Sequence, residues 1–298
     1  MNSWINVQNP LSDKYTFSAI FQINNRAEIK HTWLGRTVIH SNHRFTYEEV
    51  QQIIETKDGL HSKAILLLNN LAKEFRKERF KNGAINFSSQ EVKFQLDETG
   101  KPIGVVIKES KEAHQLIEEF MLLANETVAS HFFKLGVPSM YRIHEEPEFQ
   151  RVMEFAQLAA SYGYKFPVSE ISSKTYQNLS KQIEGKPEER VMAYAMLRSL
   201  QRARYSAQNL GHFGLAAPIY THFTSPIRRY PDLIVHRVLR ALLKEGDRFS
   251  TGSGGEKVEA AAKSRNVPKP ISFGELELMA EESSERERAA DAAENEID

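Results

Sequence analysis

The side chains best suited to chemistry lie close together in residues 211–240, which read GHFGLAAPIYTHFTSPIRRYPDLIVHRVLR. Pro226 has a fixed φ and no N–H, so it ends the segment before it, and the apolar repeat that follows predicts a helix. Ser225, Arg228 and Arg229 therefore come at or just before a helix N-terminus. Backbone N–H groups and two guanidiniums at one point suit a phosphate group.

Asp232 keeps a second interpretation of this stretch open. It lies on the first turn of the predicted helix, where it can form an ion pair with Arg228 or Arg229. A buried ion-pair network would serve packing and not chemistry. The residue types by themselves fit a phosphate site and a structural ion pair equally well.

The composition limits the class of protein. With 298 residues, 41% of them hydrophobic, the chain can bury one large core or two modest ones, which is typical of a globular protein. The 39 basic and 39 acidic residues balance, so a nucleic-acid site would have to be a local cluster. The absence of cysteine excludes disulfides, thiolate zinc sites and cysteine nucleophiles, and it fits a reducing cytoplasm.

No export or membrane signal stands out in the sequence. The stretch after Met1 is too short and too polar for a signal peptide. No apolar run approaches about 18 residues, the length that a membrane-spanning helix needs. We therefore expect a cytoplasmic protein that is neither secreted nor embedded in a membrane.

Hydrophobic periodicity predicts both strands and helices. Period-two alternation predicts a hairpin with strands over 15–24 and 29–39, and further strands over 83–87, 92–96 and 103–107. Helical spacing predicts helices over 62–80, 114–135, 191–204, 231–244 and 276–298, and two more between 148 and 190. Thr46 followed by Glu49 predicts a capping box that opens another helix. We expect the strands of 15–40 and 83–107 to form one mixed sheet with helices packed around it.

The predicted helix over 114–135 is apolar nearly all round, so its polar residues are informative. Glu118 and Asn125 lie seven positions apart and therefore share a face. Because an uncompensated buried carboxylate is costly, this pair suggests a functional stripe. A satisfied ion pair in the core is the alternative.

Several stretches together resemble the ribonuclease II and ribonuclease R superfamily, the RNB-type exoribonucleases. The resemblance rests on HFGLA at 212–216, HFTSPIRRYPDL at 222–233, LIEEFMLLAN at 116–125, GAINF at 83–87 and RFTY at 44–47. It implies an α+β fold, in which helices surround a mixed, mostly antiparallel sheet. It also implies that residues 1–298 are a partial RNB domain, without the upstream cold-shock domains and Asp-rich motif or the downstream S1 domain.

The resemblance also implies roles for individual residues. The catalytic residues would be Arg228, which neutralises charge on the scissile phosphate, and two carboxylates, Glu118 and Glu294. The residues that contact RNA would be Phe87, Tyr47, Arg44, Ser225, Arg229, Asp232 and His222. By themselves, Phe87 and Tyr47 are more typical of core packing than of RNA contact. The helix that carries Glu294, AEESSERERAADAAE at 280–294, departs from the family pattern at several positions around it.

The family's chemistry uses one or two Mg²⁺ ions, which carboxylates hold and which activate water and stabilise the leaving oxygen. This sequence has no run of closely spaced aspartates, so we predict no metal ligands within the chain. The function implied is processive 3′-to-5′ hydrolysis of single-stranded RNA to nucleoside 5′-monophosphates by a monomer. The missing aspartates leave two alternatives, a non-catalytic RNA-binding pseudo-enzyme and an inactive truncated product.

Overall fold

The predicted hairpin forms from β1 (Asp13–Ile23) and β2 (Ile29–His40) in the computed structural model of the chain. The structure describes residues 13–86, 91–97, 101–108, 110–243, 249–250 and 271–297. The two strands pair antiparallel along their whole length, beginning with Asp13 opposite His40. Asn24 makes the turn, since its Oδ1 accepts from the backbone N–H groups of Arg26 and Glu28.

The helices follow the predicted order. They are α1 (Tyr47–Thr56), α2 (Ser62–Asn82), α3 (Glu112–Leu135), α4 (Phe149–Ser161), α5 (Ser173–Ile183), α6 (Glu189–Ser199), α7 (Tyr230–Leu243) and α8 (Phe273–Ile297). The capping box is confirmed at α1, where the Thr46 hydroxyl accepts from the Glu49 N–H and the Glu49 carboxylate accepts from the Thr46 N–H. Among the described residues, no helix is long and apolar enough to cross a membrane.

The described strands form three separate sheets. β2 pairs with β1 and with β7 (Phe249–Ser250), β3 (Glu91–Leu96) pairs with β4 (Pro102–Lys108), and β5 (Tyr141–Ile143) pairs with β6 (Arg204–Ser206). All these pairings are antiparallel, and the α+β class is confirmed. The prediction that 15–40 and 83–107 share one sheet is wrong, because alternation marks a strand without specifying its partner.

The prediction of a strand over 83–87 is wrong for its described part, 83–86. Gly83, with φ of 109°, ends α2 as a left-handed cap, and the chain continues as a loop. The loop is held by Gln177, whose side-chain amide donates to the Ala84 carbonyl at 2.8 Å, and by Ile85, whose N–H donates to the Gly214 carbonyl at 2.9 Å. Ala84 and Ile85 are buried without a sheet, and Ile85 belongs to a buried cluster with apolar side chains of α4, α5 and α6.

Two helices differ from the prediction. α6 ends at Ser199 instead of continuing to 204, because Arg204–Ser206 leaves the helix and pairs with β5. α3 was expected to be buried, yet Ile117 and Phe133 are 43% and 61% exposed. Its other face is covered, with Val128, Ala129 and Phe132 fully buried.

Two clusters of buried apolar side chains hold these elements together. The larger cluster joins β2, α3, α7 and α8, and its members include Leu34, Val128, Phe132, Val235, Leu239 and Leu276. The second joins α4, α5 and α6, and its members include Val152, Phe155, Tyr176, Leu179, Met192 and Met196. Since Ile234, Val235, Val238 and Leu239 are fully buried, packing fixes α7 in place. The larger cluster therefore positions the arginines that precede α7.

Candidate phosphate-binding site

The segment before α7 turns sharply at Ser225. The backbone N–H groups of Arg228 and Arg229 donate to the Ser225 carbonyl at 3.2 and 3.1 Å. The Arg228 side chain is exposed, and its guanidinium forms no hydrogen bond or ion pair with any residue that the structure describes. The predicted position of both arginines, just before a helix that begins at Tyr230, is confirmed. An unpaired guanidinium beside a helix start can take a phosphate oxygen.

Arg229 has a different environment from its neighbour. Its Nε and Nη2 lie 2.8 Å from the two carboxylate oxygens of Asp232, and Asp232 is completely buried. The Ser225 N–H also donates to Asp232 Oδ1, at 2.7 Å. Of the two interpretations of this stretch, the ion pair therefore describes Arg229 and Asp232, while Arg228 stays available to a ligand. Arg229, Asp232 and Ser225 hold the turn that presents Arg228.

His222 precedes these arginines in the same segment and lies within range of their charges. Its Nδ1 is 2.8 Å from the Tyr205 hydroxyl, and its ring is half-buried. Burial, followed by the nearby charges of Arg229 and Arg142, lowers the pKa of His222 to about 2. The imidazole is therefore neutral at any working pH and can donate only one ring N–H.

The segment that carries His222 is anchored on both sides. Thr221 Oγ1 donates to the Met140 carbonyl at 2.5 Å, and the Phe223 N–H donates to Asn125 Oδ1 at 3.0 Å. Asn125, which is 2% exposed, also donates through Nδ2 to the Tyr220 hydroxyl at 3.0 Å. Asn125 thus connects α3 to the segment that carries His222.

Glu118 does not share the burial of Asn125. Its side chain is 45% exposed, and its carboxylate pairs with Arg79 of α2 at 3.2 Å. The buried carboxylate of α3 is Glu119, 3% exposed, which accepts from the Arg79 Nε at 3.2 Å and is also bound by its Nη2. The expectation that Glu118 and Asn125 share a buried face is wrong, because seven residues span about 10 Å of helix and different elements cover the two positions.

Two cavities lie beside α3. One, of about 270 Å³, lies between α3 and β2, and the other, of about 220 Å³, lies between α3, α2 and residues 215–218. Glu126 lines both, and burial raises the pKa of its carboxyl group to about 7. Neither cavity is lined by Arg228 or Glu118.

The remaining predicted residues lie apart or lack a described side chain. Tyr47 is 45% exposed and stacks on His114 of α3, with ring centroids 4.1 Å apart. Arg44 is exposed just before α1. Phe87 lies outside the described residues, and of Glu294 the structure describes only the backbone, in α8. The structure therefore brings together Ser225, Arg228, Arg229, Asp232 and His222.

Three residues at this site had no predicted role there. Arg142 lies with its guanidinium carbon 4.6 Å from the centre of the Tyr205 ring, and it binds Glu287 of α8 at 2.5 Å. Tyr205 in turn binds His222. Tyr205 lies just before the motif of residues 211–240, so its position in the sequence could have indicated a role at this site. Glu287 lies far away in sequence, and only the fold shows that it belongs to the site.

The described residues do not offer a metal site of their own. Across the described ranges, no three His, Cys, Asp or Glu side chains are grouped so that they could hold a metal ion. Glu118 and Glu119 both pair with Arg79 and with Arg76, so two guanidiniums already balance these two carboxylates. These side chains therefore do not fit a divalent-metal centre by themselves.

Comparisons with known proteins place this geometry in a family. The family model of the RNB domain matches residues 7–245. Ribonuclease R 1 of Lactococcus lactis is 37% identical over 301 residues, an alignment that covers 97% of this chain and 34% of that protein. The structure of Mycoplasma genitalium RNase R in complex with ribose methylated single-stranded RNA is 27% identical with a TM-score of 0.80, covering 94% of this chain and 42% of that one.

A more distant structure shares the fold alone. Yeast Ssd1, a pseudonuclease, is 22% identical with a TM-score of 0.63, covering 88% of this chain and 32% of that one. This chain thus spans between about a third and two fifths of the length of these relatives. The RNB match over most of the chain and the close relation to a ribonuclease R lead to one conclusion: the chain belongs to the RNB domain family of RNA-degrading exoribonucleases.

Proposed function

We propose that this chain supplies the phosphate-binding part of a 3′-to-5′ exoribonuclease of the ribonuclease R type, which acts on single-stranded RNA. The observation that carries the proposal is the guanidinium of Arg228 just before α7, which is exposed and pairs with none of the described residues. In this role Arg228 neutralises charge that develops on the scissile phosphate, while the Arg229–Asp232 pair keeps the turn rigid. The products are nucleoside 5′-monophosphates.

The RNA-holding residues complete the proposal. Tyr47 offers one exposed ring face, since its other face stacks on His114, and base stacking of this kind tolerates any sequence. Arg44 beside it adds a charge that attracts the RNA backbone. We assign Phe87 to the same task on the basis of the family resemblance, and we assign Glu118 and Glu294 to the catalytic set on the same basis.

We propose a divalent metal ion as the cofactor, with ligands that lie outside the described site. Nucleases of this family generally depend on a divalent metal ion, and we propose Mg²⁺. Because the described carboxylates do not fit a metal centre, we propose that the Asp-rich motif of the family supplies the ligands. We therefore propose that residues 1–298 correspond to the later part of an RNB domain and bind RNA without cleaving it efficiently.

RNA binding and cleavage by the purified chain test this function. Fluorescence anisotropy should show binding of a labelled single-stranded RNA that weakens as salt rises, because phosphate contacts release counterions. Release of mononucleotides with Mg²⁺ should be very slow or absent. Rapid release that a chelator abolishes would show that the chain holds a working metal site. No binding of single-stranded RNA at low salt would overturn the proposed function.

A further inference from the structure

A phenol and an imidazole share one hydrogen bond beside the arginines. The Tyr205 hydroxyl lies 2.8 Å from His222 Nδ1, and their ring centroids are 5.6 Å apart at 71°, so the rings meet edge to face. Tyr205 is 4% exposed, and its hydroxyl has no other hydrogen-bond partner among the described residues. This single bond therefore sets the orientation of the His222 ring.

The geometry indicates which of the two groups donates. The Arg142 guanidinium lies over the Tyr205 ring, where a cation withdraws electron density and makes the phenol a better donor and a poorer acceptor. Burial raises the pKa of Tyr205 to about 12, so the hydroxyl keeps its proton. If Nδ1 donated instead, the phenolic hydrogen would have no acceptor among the described residues, which is costly in a buried site. Tyr205 is therefore the donor.

This donation determines what His222 presents to a ligand. A neutral imidazole that accepts at Nδ1 carries its one hydrogen at Nε2. Nε2 forms no hydrogen bond with any residue that the structure describes, while the charges of Arg229 and Arg228 act on the ring from nearby. His222 thus offers an uncharged N–H donor within range of the charge of Arg228.

The donor arrangement is held from a remote helix. Glu287 of α8 binds Arg142 at 2.5 Å and so keeps the guanidinium over the Tyr205 ring. Ser284, one turn earlier on α8, accepts from the Tyr205 backbone N–H at 2.9 Å. α8 therefore fixes both the backbone of Tyr205 and the cation on its ring.

We propose that Tyr205 is a positioning residue, which holds His222 as an Nε2–H donor to an RNA phosphate oxygen beside Arg228. The contact with RNA rests on the proposed function, whereas the fixed imidazole is a property of the folded chain. Tyr205 itself does not touch the RNA. Its effect passes entirely through His222, which separates this role from a general contribution to stability.

NMR of the purified chain with ¹⁵N-labelled histidine tests the arrangement. At pH 7 the His222 ring should show a hydrogen-bearing Nε2 and a lone-pair Nδ1, and Tyr205→Phe should shift the Nδ1 signal and mix the two tautomers. Tyr176→Phe is the matched control, because it removes a buried hydroxyl that binds Ser199 in the other core. A hydrogen on Nδ1 in the parent chain, or a tautomer that Tyr205→Phe leaves unchanged, would overturn the proposal.

RNA affinity tests the role. Tyr205→Phe should weaken binding of single-stranded RNA about threefold to tenfold, the usual effect of losing one hydrogen bond. In a His222→Gln background, whose amide donates without help from a phenol, Tyr205→Phe should have no further effect. Equal losses in both backgrounds would make Tyr205 merely structural. If the parent chain bound no RNA, the proposed function would fail, and the NMR result would still decide the Tyr205–His222 arrangement.

Discussion

Arg229 forms a bidentate ion pair with both oxygens of the buried Asp232 carboxylate at 2.8 Å, whereas its neighbour Arg228 pairs with no described residue. Two adjacent arginines therefore have separate tasks. One stabilises the start of α7, and the other remains free to bind a ligand. This division leads to opposite expectations for substitutions at the two positions.

Asp232→Ala should lower the free energy of unfolding by about 2 to 4 kcal/mol, because it leaves Arg229 and the Ser225 N–H without their partner in a buried site. Arg228→Ala should change it by no more than about 0.5 kcal/mol, since the side chain is exposed and pairs with no residue in the described ranges. Urea unfolding of both variants measures the difference. Similar losses in the two variants would contradict the division of tasks.

Arg228→Ala should act on catalysis in an RNB polypeptide completed with the Asp-rich motif. We expect kcat to fall roughly a hundredfold or more, the scale for losing one preorganised charge donor, with little change in RNA affinity. Arg228→Lys should restore only part of the rate, because an ammonium group cannot reproduce the bidentate contact of a guanidinium with a phosphate. Single-turnover cleavage at saturating RNA measures the effect.

Arg240→Ala, at an exposed position on the last turn of α7, is the matched control and should leave the rate unchanged. If Arg228→Ala weakened RNA binding while single-turnover cleavage stayed intact, Arg228 would position the strand instead of acting on the transition state.

Glu126→Gln should stabilise the protein in alkaline solution. Burial raises the pKa of Glu126 from 4.5 to about 7. The folded chain therefore favours the neutral carboxyl group. This contribution to the free energy of unfolding is fully present below pH 4.5 and is lost as the pH rises through 7. An amide avoids this loss, and the gain at pH 8 should be roughly 1 to 3 kcal/mol, with a much smaller gain at pH 5. Urea unfolding at the two pH values measures it, with the exposed Glu285→Gln as control. Equal gains at both values would refute the explanation.

Acid should destabilise the chain through its buried and half-buried histidines. The pKa values of His131, His212 and His222 fall mainly through burial, to about 4, 3 and 2. Below pH 6.5 the unfolded chain therefore binds more protons than the folded chain, and each histidine lowers stability by at most about 1.4 kcal/mol per pH unit.

Thermal unfolding between pH 7.5 and 5.5 measures this dependence on pH. His212→Gln should reduce the slope below pH 6.5, and the exposed His43→Gln should not. The slope is the informative quantity, because His212→Gln also changes stability at neutral pH. An unchanged slope in His212→Gln would show that another group causes the acid sensitivity.

Short-range features were determined by the sequence alone. The hairpin around Asn24, the capping box of Thr46 and Glu49, and the helix start just after Arg229 all depend on groups a few residues apart. Their residue types and spacing therefore predict them. The motifs of residues 212–233 likewise indicated the RNB family, because a resemblance to a family pattern over that many residues depends on residue identities and not on the fold.

Only the tertiary structure decided which side chains are paired and which are free. Arg228 and Arg229 are identical in type and adjacent in sequence, yet only Arg229 reaches Asp232, because packing of α7 in the core fixes the direction of each side chain. Glu118 and Glu119 both pair with Arg79 of α2, and only the fold determines that the Glu118 side chain is 45% exposed while that of Glu119 is 3% exposed. Burial and long-range partners set the desolvation cost of each charged group, and neither quantity is contained in local spacing.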